Sequence, residues 1–484
     1  MPASVVIGQP DFTSNGGNQG TAGTENEQVT GNSLDHPAQT MVIDGKLFIT
    51  DGENERVLIY NSIPTTNNAV ADLVIGQIDL NSDFYNGDFP TAHTLMRPEG
   101  IATNGEKLII LDRDNYRILV YNEIPTENYP AADIVIGQPD MTTHEWHGDA
   151  NIGNSEGVSD TTLSSGATGL CFDEPSGKLI VSDTDNNRVL IYGSLPTTNG
   201  VAADVVIGQP DFYSNLENQG GDPSANTLSL GTSSNISTYN DKLFVADRHN
   251  NRVLIFNQIP TTNNASADVV IGQPDFNSNQ ANQGGEPGPN TLNGPRSAVV
   301  DSEGKLLITD LNHRILVFNS IPVENNASAD LVIGQPDFES NTGSATDSTF
   351  FWPRHVSFYG NKFIVSDNGN SRVLIFENDD DNMANDDDNT APLGFLLNQN
   401  YPNPFNSSTI IKYSLSASSH LELRIFDLQG LEVVTLFRGQ HQYGNHQIIW
   451  DGKNSDSRLV ASGIYFIRME SSEIVRSRKM IFVQ

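Results

Sequence analysis

The tetrapeptide Val-Ile-Gly-Gln occurs six times, with its glycine at Gly8, Gly76, Gly137, Gly208, Gly272 and Gly334, at intervals of 61 to 71 residues. Self-similarity on this scale marks a repeat architecture. Six copies of a second unit alternate with it, at residues 46–61, 107–122, 178–193, 242–257, 305–319 and 362–377. Each reads as a hairpin: an apolar β-branched run, a polar turn and a second such run, as in Lys242-Leu-Phe-Val-Ala, Asp247-Arg-His-Asn-Asn-Arg252, Val253-Leu-Ile-Phe. A preceding segment such as 37–44 or 295–301 supplies another strand, and the Val-Ile-Gly-Gln run a fourth. Four short antiparallel strands, a to d, in six copies predict an all-β, six-bladed propeller. Composition agrees: of 484 residues 37% are hydrophobic and 18% charged, while 41 Gly and 24 Pro suit many turns rather than a helical bundle.

The phase of the repeats predicts how the ring closes. The first Val-Ile-Gly-Gln precedes any a, b or c strand, and the sixth hairpin runs into an acidic tract with no d strand behind it. Residues 4–9 are therefore expected to complete the sixth blade, so that no sheet keeps an unpaired edge there.

Charge and cysteine count narrow the partners. With 26 Lys+Arg against 60 Asp+Glu the formal net charge is -34, which repels phosphate backbones and anionic lipid surfaces, so no nucleic-acid partner is expected. Cys171 is the single cysteine, leaving no intramolecular disulfide and no cysteine metal cluster. No run approaches the ~18 apolar residues of a transmembrane segment. Met1-Pro2-Ala3-Ser4 leads straight into the first repeat without the basic and apolar regions of an export signal; a true start upstream of Met1 is expected.

The turn Asp-x-x-Asn-x-Arg before an apolar strand stands at Asp51/Asn54/Arg56, Asp112/Asn115/Arg117, Asp183/Asn186/Arg188, Asp247/Asn250/Arg252 and Asp367/Asn370/Arg372. The fifth copy, Asp310-Leu-Asn-His-Arg314, is one residue short. This pattern, over residues 4–377, resembles the NHL-repeat propellers, a family that implies the fold but spans binding scaffolds, lyases and hydrolases. A residue repeated in every blade suits six equal hinges better than one reaction centre. The Asp/Asn/Arg sets and the six glutamines after the glycines (Gln9, Gln77, Gln138, Gln209, Gln273, Gln335) are accordingly expected to be structural.

Blade-specific residues are the candidates for function. The c–d connections keep one length, mostly as Ile-Pro-Thr-Thr-Asn-Asn-Ala, whereas the d–a connections differ and share a face with the b–c turns; variable loops on a rigid ring are where function resides. Aligning the starts of strand a on a Leu-x-x or Phe-x-x lead places Pro37, Pro98, Gly166, Gly231, Pro295 and Pro353 together. Around them His36, Gln39, Arg97, Glu99, Thr168, Ser233, Arg296, Arg354 and His355, with Trp352 alongside, are expected to ring the mouth of the central channel and form the ligand-binding set. No metal ligand is assigned: His144-x-x-His147 lacks a third ligand, and Asp183-x-Asp185-x-Asn187 carries Arg188 where an EF-hand loop needs glycine. No catalytic residue is assigned, since phosphate loop, nucleophile elbow and HExxH motifs are all missing.

Residues 378–389, with six Asp and nothing to bury, read as an extended acidic linker, taken here as 378–391; Ca2+ is the ion such a joint would hold. The charge balance then changes sign, with 9 basic and 7 acidic residues over 390–484. Apolar runs at 409–415, 421–426, 432–437, 447–450, 463–469 and 479–483 predict a small Ig-like β-sandwich over 392–484. Its motifs Asn400-Tyr-Pro-Asn-Pro-Phe-Asn406, Ile425-Phe-Asp-Leu-Gln-Gly430, Trp450-Asp-Gly452, Ala461-Ser-Gly-Ile-Tyr-Phe466 and Arg478-Lys-Met480 resemble the C-terminal sorting domain of bacterial type IX secretion. The resemblance implies the type IX machinery as a partner, passage across the outer membrane, and an extracellular or outer-surface location.

The expected protein is thus a secreted or cell-surface monomeric propeller that binds a protein or glycan ligand rather than an enzyme. The alternative is a propeller lyase or hydrolase with a metal or an Arg/His/Glu site at the channel mouth.

Overall fold

The computed structural model describes residues 2–20, 28–85, 89–147, 157–164 and 166–377, and further along 396–397, 400, 403, 405–415, 419–441, 444–456, 458–470 and 475–483. The expected acidic linker lies outside them. The chain divides into two compact units, Met1–Asn378 and Asp379–Gln484.

In the first unit the hairpin units form six four-stranded antiparallel sheets. The first blade runs Pro37–Ile43, Lys46–Asp51, Arg56–Tyr60, Leu73–Ile75 from inner to outer strand, and the next four repeat this order. The sixth takes Pro353–Tyr359, Lys362–Asp367 and Arg372–Glu377 from the end of the unit and Val5–Ile7 from its beginning. Val5, Val6 and Ile7 pair with Ile375, Leu374 and Val373, which is the closure the repeat phase predicts. Each inner strand touches the inner strands of both neighbouring blades, completing the ring. Apolar residues on the two faces of each sheet interdigitate between blades; Val5, Ile7, Leu47, Ile49, Ile364 and Ile375, for example, form one core between the sixth and first.

The repeated polar residues hold the blades together. Asp51 accepts bonds from the Asp35 amide (2.7 Å), Asn54 Nδ2 (2.8 Å) and Arg56 Nε (2.8 Å). Arg56 in turn donates to the carbonyls of Leu80, Thr30 and Ser33, so four of its five N–H groups are bonded inside the protein. The six equivalent arginines are fully buried, each paired with its aspartate. The shortened fifth turn keeps its pair, Asp310–Arg314, at 3.3 Å. The six glutamines likewise bond backbone: Gln9 Nε2 reaches the carbonyls of Gly16 and Ser371, the latter across the closure.

On the c–d face an Asn and the residue after it in each loop clasp the outer strand of the preceding blade. The Val6 amide donates to Asn67 Oδ1 while the Asn68 amide donates to the Val6 carbonyl, and Asn128/Tyr129 do the same for Val74, Asn263/Asn264 for Val206 and Asn325/Asn326 for Val270. The fifth blade's outer strand, Leu331–Ile333, has no such clasp among the described residues, because the loop that would supply it belongs to the blade built from two chain segments. Leu331 is accordingly 54% exposed, where its counterpart Val269 is 3%.

The second unit is a sandwich of two sheets: Leu396–Leu397, Thr409–Leu415 and Gly444–Trp450 in one, and Glu432–His441, Ser419–Phe426, Gly463–Glu470 and Val475–Phe482 in the other. Phe405, Trp450, Tyr465 and Phe482 pack in its core with Ile411, Leu423 and Ile467. The motif residues hold this fold: Trp450 Nε1 donates to the Lys453 carbonyl (2.9 Å), Tyr465 Oη to the Ala461 carbonyl (2.7 Å) and Asn400 Nδ2 to Thr409 Oγ1 (2.9 Å). Among the described residues no helix is long and apolar enough to cross a membrane.

Candidate ligand site at the channel mouth

The strand pairing sets the geometry of the mouth. In blades one, two and six the a–b register slips just after the strand begins, between Pro37 and Thr40, Pro98 and Gly100, and Pro353 and His355. A bulge of this kind re-aims a side chain without breaking the sheet. It turns Glu99 and Arg354 toward each other across the ring.

Counting from the Asp of each b–c turn, the bulge position is Ala38, Glu99, Thr168, Ser234, Arg296 and Arg354. The Leu-x-x alignment is therefore corrected in blades three and four, where Ala167 and Ser233, rather than Gly166 and Gly231, take the place of Pro98. Pairing with strand b fixes the register, whereas the loop leading into strand a varies in length. Ser233, buried at φ 74, thus lies one residue short of the bulge position.

The expected residues then separate by role. Gln39 ties inner strands, its Nε2 donating to the Ile101 carbonyl and its Oε1 accepting from the Ile101 amide, both at 3.1 Å. Thr168 Oγ1 donates to the Ser234 carbonyl at 3.3 Å. His36 sits 2.6 Å from Asp35 through Nδ1 and is half-exposed. His355 is buried with no partner for Nδ1, and burial followed by the nearby Arg354 charge pushes its pKa down to about 3, so the ring is neutral.

Arg97, Glu99, Arg296 and Arg354 come together, and the turns add residues that the sequence reading passed over. Glu99 is 3% exposed and accepts from Arg354 Nη2, with Arg113 Nη1 at 3.4 Å and Arg97 Nε at 3.9 Å. Arg97 also reaches Glu53 at 2.5 Å. Arg113 and Arg248 occupy the first variable position of the Asp-x-x-Asn-x-Arg turn, which is Gly52, Arg113, Thr184, Arg248 and Asn368 in the five full copies. Only the invariant positions of that turn are hinges; the variation between them was the available signal.

Arg113 also approaches Asp114, at 3.6 Å, but two guanidiniums of the cluster stand apart from the described carboxylates. No described carboxylate lies within salt-bridge distance of Arg296 or Arg248. Arg248 Nη1 bonds Thr232 Oγ1 at 3.0 Å, and Arg296 Nη1 bonds the Trp352 carbonyl (3.2 Å) and Asn368 Oδ1 (3.4 Å), leaving its buried Nε unpartnered. Burial and then the like charges of Arg354 and Arg248 press the Arg296 pKa well down; burial lowers Arg354 too, against the pull of Glu99. Close by, burial raises the Asp114 carboxyl to about 6 and Glu55 to about 8. Trp352, 40% exposed, stacks on Phe351 (4.5 Å) with His313 beyond, and the Arg296 guanidinium lies 6.0 Å from its ring centre.

Comparison with known proteins adds two family matches. The NHL repeat family matches residues 165–192 and the FlgD Ig-like domain family matches residues 405–473. The first unit is a six-bladed β-propeller, and one of its blades matches the NHL repeat. No curated protein matches the sequence. Among solved structures, PorZ, a surface component of the type IX secretion system of Porphyromonas gingivalis, is similar over 94% of this chain and 60% of its own, at 12% identity and TM-score 0.37. This chain thus spans about 60% of the length of PorZ. FlgD of P. aeruginosa is similar over 15% of this chain and 57% of its own (22% identity, TM-score 0.13), and the C-terminal WD40 domain of Sif2 over 71% and 81% (9%, 0.33).

Among the described residues no group of three or more His, Cys, Asp or Glu is arranged to hold a metal ion. Glu145 and His147 approach only to 3.9 Å.

Proposed function

We propose that this protein is a secreted or cell-surface binding module whose propeller presents the channel mouth to a protein or glycan ligand. The observation that carries this reading is the cluster at the mouth: Arg97, Arg113 and Arg354 meet the buried carboxylate of Glu99, and Arg248 and Arg296 stand close enough to act on Arg354 without a carboxylate of their own, five guanidiniums from four blades in a chain whose net charge is -34. Such an island of donors on rigid strands is a recognition surface. The second unit would carry the export role, supported by the order of its motifs and by its FlgD-type Ig-like sandwich. The mouth reading is tested by probing glycan and protein arrays with the purified full chain and with Arg354→Ala. A ligand lost in the variant supports it; ligands retained in full would place binding elsewhere. The export reading is tested by fusing 392–484 to a periplasmic reporter in a host with type IX secretion, where retention inside the cell would refute it.

A second reading, a lyase or hydrolase, draws on the raised Glu55 and Asp114 carboxyls beside the arginines, since a carboxyl that titrates near neutral pH can act as a general acid or base. Turnover of an array-identified ligand, abolished in Asp114→Asn with binding intact, would establish it.

A further inference from the structure

Three features of the mouth point to one class of ligand. First, Arg296 is 7% exposed, has no carboxylate partner among the described residues and keeps Nε unpartnered. A guanidinium taken out of water without an opposite charge is costly, and a carboxylate received by its planar fork is the natural compensation. Second, the nearby carboxylates are taken up by the other guanidiniums, Glu99 by Arg354, Arg113 and Arg97, Glu53 by Arg97 and Asp114 by Arg113, and none of them comes within salt-bridge distance of Arg296 or Arg248.

Third, an aromatic platform adjoins the guanidiniums. Trp352 has φ 57, a left-handed conformation in which a bulky side chain is an outlier. The residue before the strand-a proline takes the same conformation in blades one, two and five, at His36 (φ 50), Arg97 (φ 51) and Gly294 (φ 51), so the backbone belongs to the repeat and the aromatic ring is what blade six adds. Trp352 is propped by Phe351 and His313 and is 40% exposed. A flat apolar face next to paired donors suits a ring that bears an acid group, and a small inorganic anion would need no such platform.

We propose that the mouth binds an acidic saccharide, with Arg296, Arg354 and Arg248 receiving the sugar carboxylate and Trp352 stacking against the ring. This rests on the reading of the mouth as a ligand site and gives that ligand its chemistry. Glu99 holds the guanidiniums in place, and the sugar carboxylate supplements it.

The test is calorimetric titration of the full chain with oligogalacturonate, a glucuronate-containing oligosaccharide and sialyllactose, each beside its methyl ester, and with citrate. At least one acid sugar should bind at least tenfold tighter than its ester, and the affinity should fall as salt rises. Trp352→Ala should lower that affinity tenfold or more while leaving citrate binding within twofold; Arg296→Ala should weaken both. Should Arg296→Ala not fold, the half-exposed Arg248→Ala gives the same readout. Equal binding of acid and ester, citrate binding as tightly as the sugar, or no binding by any acid sugar would each overturn the proposal. A neutral or protein ligand lost in Arg354→Ala would overturn the acid-sugar assignment and leave the binding-module reading standing; array ligands unaffected by Arg354→Ala would remove both.

Discussion

Glu99 of the second blade accepts a hydrogen bond from Nη2 of Arg354 of the sixth, 255 positions away in the chain. The contact spans the mouth and exists only because strand-a bulges in both blades turn these side chains inward. Replacing Glu99 by Gln should keep one acceptor but remove the charge that Arg354, Arg113 and Arg97 share. A loss of about 1–3 kcal/mol is expected, nearly independent of salt because the pair is buried. Urea unfolding at low and high ionic strength checks it, and an unchanged stability in the variant would show that the shared charge contributes nothing net.

The six buried Asp–Arg pairs should be far more sensitive. Arg252→Ala strands Asp247, which is fully buried, and leaves the carbonyls of Phe276, Ser224 and Thr227 without their donor. Removing one partner of a buried pair costs about 3–5 kcal/mol. Thermal melting should show a large loss; a shift of only a degree or two would mean that water replaces the guanidinium.

Deleting residues 1–9 should open the ring. Val5, Val6 and Ile7 are 3%, 0% and 0% exposed, and burying such side chains contributes about 1.5–3 kcal/mol each. The truncated propeller should melt at a markedly lower temperature and expose the strand Arg372–Glu377 to edge pairing. Calorimetry with light scattering reads both effects, and an unchanged melting temperature would contradict covalent closure as a source of stability.

The proton on Glu55 should make stability fall with rising pH. Burial pushes its carboxyl up to about 8, the amide of Arg97 pulling the other way, while an unfolded glutamate ionises near about 4.3. Between these values the folded state holds more protons than the unfolded one. Its contribution is therefore complete below about pH 4.3 and lost as pH rises through about 8. Glu55→Gln, which keeps an acceptor for the Arg97 amide, should flatten the melting profile from pH 5 to 9, and an equally steep profile in the variant would assign the dependence to another group.

Trp450→Ala should damage the second unit alone. Trp450 is 1% exposed and packs on Phe405 and Tyr465, and truncations of this kind cost about 3–5 kcal/mol. Loss of near-ultraviolet dichroism and protease resistance over 400–483, with the propeller transition unmoved, is the expected result; a shift of both transitions would show that the two units fold together.

Fold and closure were legible because they depend on local, repeated information. Alternating β-branched residues specify each strand, the Asp-x-x-Asn-x-Arg turn each hairpin, and the misplaced first Val-Ile-Gly-Gln the closing partner. Even the incomplete fifth turn could be read as a variation, and Arg314 still finds Asp310. The expected sandwich strands also fall at their observed places, since their apolar runs alternate with turns.

The mouth was legible only in outline. Residue type and position along the chain bring Arg97, Glu99, Arg296 and Arg354 to one rim, but they put Gln39 and Thr168 there too, and these spend their polar atoms on neighbouring backbone. They could not show that Arg113 and Arg248 join from the turns, that three guanidiniums converge on one carboxylate, or that Trp352 lies beside Arg296. Those relations depend on register, on single-residue bulges and on the radius of a closed ring, each set by packing between segments tens to hundreds of residues apart. Periodic sequence thus determined the six blades and the strand that joins their ends, while the charge balance at the centre was decided by the tertiary structure, because side chains from four blades meet only once the toroid has closed.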